Sequence, residues 1–176
     1  MIDFHTIPSS HDAAKASVHK KGTIEHVWDV LRSVPDPEVP VLSVVDLGVV
    51  RTVQLKGQEK VSVDVTPTYS GCPATALINA SISVALEAVG YVPEIHTVLS
   101  PAWTSDWMSE QGREKLREYG IAPPSPCGTR GADLPMTCPH CGSSKTKVVS
   151  EFGSTACKAL FKCESCLEPF EYFKCI

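Results

Sequence analysis

Two Cys-x-x-Cys pairs, Cys138-Pro139-His140-Cys141 and Cys163-Glu164-Ser165-Cys166, restrict the end of this chain more tightly than any other feature. Two residues between paired cysteines let a tight turn present both sulfurs to one ion, and two such turns make a tetrahedral four-thiolate site. Twenty-one residues separate Cys141 from Cys163, slightly beyond the usual ribbon spacing. Segments 147–152, 158–162 and 170–173 have the composition of short strands, so residues 136–176 are expected to form a zinc ribbon. A module of about forty residues with few aliphatics buries too little surface to fold unaided, which makes the metal part of the fold. Cys138, Cys141, Cys163 and Cys166 are the predicted ligands. Zinc is favoured, although four thiolates also hold iron or an iron-sulfur cluster. The alternative for these cysteines is disulfides or free thiols, and a reducing compartment disfavours the disulfides. His140 is expected to be exposed rather than a fifth ligand.

The second constraint is a change of period. Val61, Val63 and Val65 alternate with polar residues, as in a strand with one buried face. Leu77, Ile78, Ile82, Ala85, Leu86 and Val89 then recur at helical spacing until Gly90. Gly71-Cys72-Pro73 lies at the junction, and Pro73 suits a first helical position, which predicts Cys72 at or beside the N-cap. There, backbone N–H groups and the helix dipole favour a thiolate, chemistry suited to metal transfer or thiol exchange. The alternative is a small buried residue at a tight turn.

Upstream, residues 1–22 have no sustained period and read as a loose arm; its histidines are given no role. Thr23 is expected to N-cap a short helix ending before Pro35. Asp36-Pro37-Glu38-Val39-Pro40 sets two carboxylates in a stiff, extended segment, fit either to bind a cation or to form a solvated turn. Val49 to Leu55 is a predicted strand paired through a turn with 61–66. Asp46 is a candidate to approach the same sheet end as Cys72. Beyond Gly90, a strand over 94–100 precedes Trp103 and Trp107, which either dock a partner or cover the sheet edge, and a helix over 109–119 that Gly120 terminates. Residues 121–135 read as a linker, placing the main domain at 23–120. Cys127, in that linker, is either an additional ligand or a free thiol. Cys157 and Cys175 are either packing residues or members of a second soft-metal or redox site with Cys127 or Cys72.

Several function classes are excluded. A net charge of −4 supplies no basic field for nucleic acid. No apolar run approaches the roughly 20 residues of a membrane span, and the N-terminus lacks a signal pattern, so a cytoplasmic protein is expected. Neither a phosphate-cradling Gly-x-x-x-x-Gly-Lys loop, nor a Gly-x-Gly-x-x-Gly fingerprint, nor a Glu-x-x-His di-iron pair occurs. The expectation is an accessory protein rather than a catalytic subunit.

Asp36 to Pro40 with Asp46-Leu47-Gly48 and Thr66-Pro67-Thr68-Tyr69-Ser70-Gly71-Cys72-Pro73 resembles the small α/β domain of SufT-like iron-sulfur assembly factors. Pro101-Ala102-Trp103-Thr104, Arg117 to Ile121, and the stretch from Glu151 to Ile176 resemble the D-component family of bacterial phenylacetyl-CoA epoxidase systems. The resemblance implies an α+β fold: a small α/β sandwich domain followed by the zinc ribbon. It implies an accessory role in aerobic phenylacetate degradation, assisting cluster assembly or insertion. The implied partners are the reductase, which carries a flavin and a ferredoxin-type cluster, or the di-iron oxygenase subunits. Carried over by position, Cys72 is the metal-transfer candidate, with Asp36 and Glu38 as acidic neighbours, for a transient iron-sulfur cluster or iron. Cys127 and Cys157 are further candidate donors. The alternative is a zinc-folded docking subunit in which Cys72 only packs.

Overall fold

The computed structural model describes residues 20–125 and 136–176 of the chain. Helix α1 (Ile24–Arg32) begins where Thr23 accepts from the His26 N–H, and it buries Val27 and Leu31. Strands β1 (Val50–Lys56) and β2 (Lys60–Val65) form an antiparallel hairpin, and β3 (Val92–Thr97) joins β2 in parallel after helix α2 (Thr75–Ala88). The helices pack on one another, α1 against β1 and α2 against β3, giving a two-layer α/β unit. Its core joins Leu31 and Ile82 to Val61, Val63 and Val65, the alternating valines whose period marked the strand. Strand β3 lies earlier than the predicted 94–100: it starts at Val92 and ends at Thr97, and Leu99 is exposed.

After β3, a short 3-10 turn (Ser105–Trp107) leads to helix α3 (Glu110–Glu118), N-capped by Ser109 and followed by Gly120 at positive φ. Trp103 is buried and donates its indole N–H to the Leu47 carbonyl at 3.1 Å. Trp107 lies half-buried under the Arg51 guanidinium, 3.4 Å from the ring centre. These rings therefore bind the chain to itself rather than forming a docking platform. Gly48 makes that approach possible. It sits at φ +73°, and a Cβ there would lie 2.3 Å from the Trp107 carbonyl oxygen.

The start of the expected linker is ordered. Ile121–Ala122 forms β4, which pairs in parallel with β7 (Pro169–Phe173), so the sheet of the ribbon has the order β4-β7-β6-β5. β5 (Thr146–Ser150) and β6 (Lys158–Cys163) complete it. Ile121 reads as linker in the sequence because the prolines and glycines that follow it mask a two-residue strand, whose hydrogen bonds come from a segment about fifty positions later. The ribbon is not a bead on a string. Cys157 and Phe173 belong to the same buried cluster as the α/β core, Phe173 packs with its ring centre 6.3 Å from that of Trp103, and the Ser105 N–H donates to the Ile176 carbonyl. Among the described residues, no helix is long and apolar enough to cross a membrane.

Candidate functional site

The four knuckle cysteines converge. Cys138 Sγ lies 3.8 Å from Cys166 Sγ and Cys141 Sγ 3.6 Å from Cys163 Sγ, and all four sulfurs fall within 4.8 Å of one another. A tetrahedron with metal–sulfur bonds of about 2.3 Å has edges of about 3.8 Å, so the donor set fits one ion. The Cys163 thiol is lowered to about 6, chiefly because the Cys166 N–H, and then the Ser165 N–H, donates to its sulfur. Cys166 is pushed up to about 12. The Glu168 N–H favours its thiolate, but burial and the sulfurs of Cys141, Cys163 and Cys138 outweigh that. Clustered thiols do not all ionise by themselves, and a cation must replace their protons. His140 is exposed and stands apart from the sulfur cluster, against Gly120.

A second site lies where the two modules meet. Tyr69 to Cys72 forms a turn closed by the Cys72 N–H on the Tyr69 carbonyl, and the Thr75 N–H and hydroxyl both return to the Cys72 carbonyl. These bonds delay the helix: Ala74 is the N-cap and Thr75 the first residue of α2, so Cys72 stands just ahead of the helix rather than capping it. Pro73 suits a first helical position by its φ, but the Thr75 side chain closes a separate turn first. Cys72 remains partly exposed, at the wall of a narrow cavity that Asp36, Glu38, Thr68, Thr75 and Cys157 also line.

The acidic residues are not a solvated turn. Asp36 is 4% exposed, and its Oδ1 accepts the Glu38 N–H at 2.9 Å and the Val39 N–H at 2.8 Å, which locks the proline-flanked loop. Burial pushes its carboxyl above the ordinary range, although those N–H groups and the Lys158 charge pull the other way. Glu38 is raised too, first by burial and then by the Asp36 charge, with Lys158 opposing. Cys157, 4% exposed, has Thr155 Oγ1 at 3.0 Å and reaches to 4.0 Å from Glu38 Oε2. Burial raises its thiol; the Thr155 bond opposes and Glu38 adds to the rise.

Cys72, Asp36, Glu38 and Cys157 thus meet in one cavity. Cys127 lies outside the described residues, and Cys175 is disulfide-bonded. Asp46 does not join them. It accepts from Ser43, Ser109 and Lys115, the last at 2.7 Å, and ties α3 to the loop before β1. Lys158 follows Cys157 in sequence and can favour its thiolate, but its burial and its reach to the carboxylates escape sequence reasoning: 3% exposed, it pairs with Glu171 at 2.9 Å and is the cation whose charge acts on Asp36, Glu38 and Cys157. A lysine next to a cysteine is too common a pairing to signal burial in advance.

The chain is similar to known proteins in both of its parts. Residues 24–97 match the family described as iron-sulfur cluster assembly protein, and residues 122–174 match the PaaD zinc beta ribbon domain. A protein of Escherichia coli (strain K12), named for the D component of a 1,2-phenylacetyl-CoA epoxidase, is 51% identical over 156 residues, covering 87% of this chain and 93% of that protein. An Fe-S protein maturation auxiliary factor of Porphyromonas gingivalis is 35% identical over 96 residues, covering 53% of this chain and 90% of its own length. YitW of Bacillus subtilis, also an Fe-S protein maturation auxiliary factor, is 33% identical over 94 residues, with 52% and 91% covered.

Proposed function

The chain belongs to the PaaD family, the D components of phenylacetyl-CoA epoxidases, and from that premise we propose that it assists iron-sulfur cluster assembly for the epoxidase system, with its reductase component as client. The observation that carries this reading is the meeting of Cys72 with Glu38 and Asp36 at one cavity in the unit that matches iron-sulfur assembly proteins. A transfer site needs a soft donor that a partner can reach, and Cys72 is partly exposed on a loop held at both ends by hydrogen bonds. Asp36 fixes the acidic loop through its two backbone bonds, leaving the Glu38 carboxylate facing the cavity. Iron or an iron-sulfur cluster is the cargo.

The ribbon has a different task. Cys138, Cys141, Cys163 and Cys166 would hold a resident zinc ion, which would supply structure rather than chemistry, as expected of a closed four-thiolate site. The open edge strand β5, with Val148 and Val149 exposed beside Phe152, gives a second reading some footing, that of a zinc-folded docking protein that transfers no metal. Anaerobic purification followed by zinc, iron and acid-labile sulfide analysis separates the two. The assembly reading expects one zinc together with substoichiometric iron, and loss of the iron alone in Cys72→Ser. Zinc alone, in both proteins, overturns it in favour of docking.

A further inference from the structure

Helix α2 is apolar on both of its sides. Ile78, Ile82 and Leu86 are buried in the core, while Leu77 and Val84, 56% and 65% exposed, share the outer side with Ala76, Ala80 and Ala88. Of its 14 residues only Glu87 carries a charge. A helix that is apolar all round is ordinarily covered all round, so the outer side of α2 is an unpartnered surface.

Spacing and charge describe what covers it. Pro73, Leu77, Ala80, Val84 and Glu87 follow one another at alternating steps of four and three, the spacing of a seam along which one helix lies on another. When two copies of α2 cross in opposite directions between Leu77 and Ala80, each Leu77 lies on Ala80 of the second copy and each Val84 on its Pro73. Bulk then meets space at every step. The ends of the seam are complementary in charge. Glu87 stands in the last turn of α2, where the negative end of the helix dipole disfavours it. The helix starts at Ala74 without a side-chain cap and with no acidic residue in its first turn. Antiparallel pairing brings each Glu87 carboxylate to the uncapped N-terminus of the other α2, where free backbone N–H groups favour an anion. Parallel pairing would set the two carboxylates side by side.

We infer that the outer face of α2 is a self-association surface, through which two copies of the chain pair as an antiparallel, two-fold symmetric dimer. Such an interface must match itself, and both the seam and the charges at its ends do so without a second kind of protein. Because Cys72 directly precedes Pro73, the dimer sets Glu87 of the second copy beside each Cys72 loop. A client reaching Cys72 then approaches past the second copy, which adds an acidic group to the mouth of the cavity. The pairing goes beyond the metal-transfer reading and does not depend on it, since neither iron nor the Cys72 thiol takes part. A single helix pair buries less than a standard interface of about 1,600 Å², so the dimer is expected to dissociate on dilution.

The test is sedimentation of the full, metal-loaded chain over a range of concentrations, and a monomer–dimer equilibrium is expected. Val84→Glu and Leu77→Glu change exposed positions, so they should keep the metal content and unfolding temperature of the wild type while each weakens dimerisation about tenfold or more. A photo-crosslinking residue in place of Ala88 should label the segment 69–73 of the second copy, which lies about 20 Å away along α2 in its own chain. Labelling of the same position in the second copy would mean parallel pairing and overturns the inference. So does a chain that stays monomeric at millimolar concentration, or a dimer indifferent to both glutamate variants. A monomer in which Val84→Glu instead abolishes binding to the epoxidase reductase overturns it too, and gives the face to the client. Each of these results leaves the reading of Cys72 standing, because Cys72→Ser should dimerise as the wild type does and is judged by its iron content alone.

Discussion

The sulfur of Cys157 lies 4.0 Å from Oε2 of Glu38, a residue 119 positions earlier in the chain. One residue belongs to the ribbon and the other to the proline-rich loop of the α/β unit, so the cavity exists only where the modules pack. Phe173 on Trp103 and the Ser105 bond to Ile176 hold that packing.

Removing the ribbon metal should therefore be felt in the other module. A strong chelator is expected to unfold β5 to β7 and to free Trp103 from Phe173, changing tryptophan emission although all three tryptophans lie outside the ribbon. The change should disappear in Trp103→Phe. Emission that is unaffected by complete loss of the ribbon metal would mean the two modules are energetically independent.

Gly48 is expected to tolerate no side chain. Alanine there would hold a positive φ and press its Cβ on the Trp107 backbone, so Gly48→Ala should cost about 2 to 4 kcal/mol in urea unfolding. A neutral result would show that the Trp107 segment moves aside freely.

The Asp46 network predicts a pH dependence. Burial alone would raise this carboxyl, but the bonds from Lys115 and Ser43 outweigh it and hold it below its ordinary value. A folded value below the unfolded one means stability present above the unfolded pKa and lost as pH falls through the folded one. Thermal unfolding should thus separate wild type from Lys115→Met at neutral pH, and the gap should narrow as pH falls from about 5 towards 2. Because acid also strips metal from thiolate sites, the difference between the two proteins is the quantity to follow. A constant gap would assign Lys115 a packing role instead.

Much of the architecture is legible because it is written in local patterns. The switch from the alternation of Val61, Val63 and Val65 to the helical spacing of Ile78, Ile82 and Leu86 locates the strand, the turn and the helix. The Cys-x-x-Cys pairs name a sulfur set that the fold does bring within one ion's reach. What escapes is set by contacts distant in sequence. Nothing near Cys157 distinguishes a packing residue from a pocket wall; its neighbour across the cavity comes from the opposite end of the chain. Asp36 and Asp46 look alike in sequence, yet one locks a loop beside Cys72 and the other anchors α3 through Lys115. The start of α2 falls later than Pro73 suggests because the Thr75 hydroxyl, and not the proline, decides where helical bonding begins.

The most direct measurement is the iron and acid-labile sulfide content of the epoxidase reductase, purified from cells whose only copy of this protein is wild type or Cys72→Ser at equal abundance. A maturation role through Cys72 predicts a reductase with its normal amount of polypeptide but a marked deficit of cluster in the variant cells. A fully loaded reductase in those cells would contradict the account.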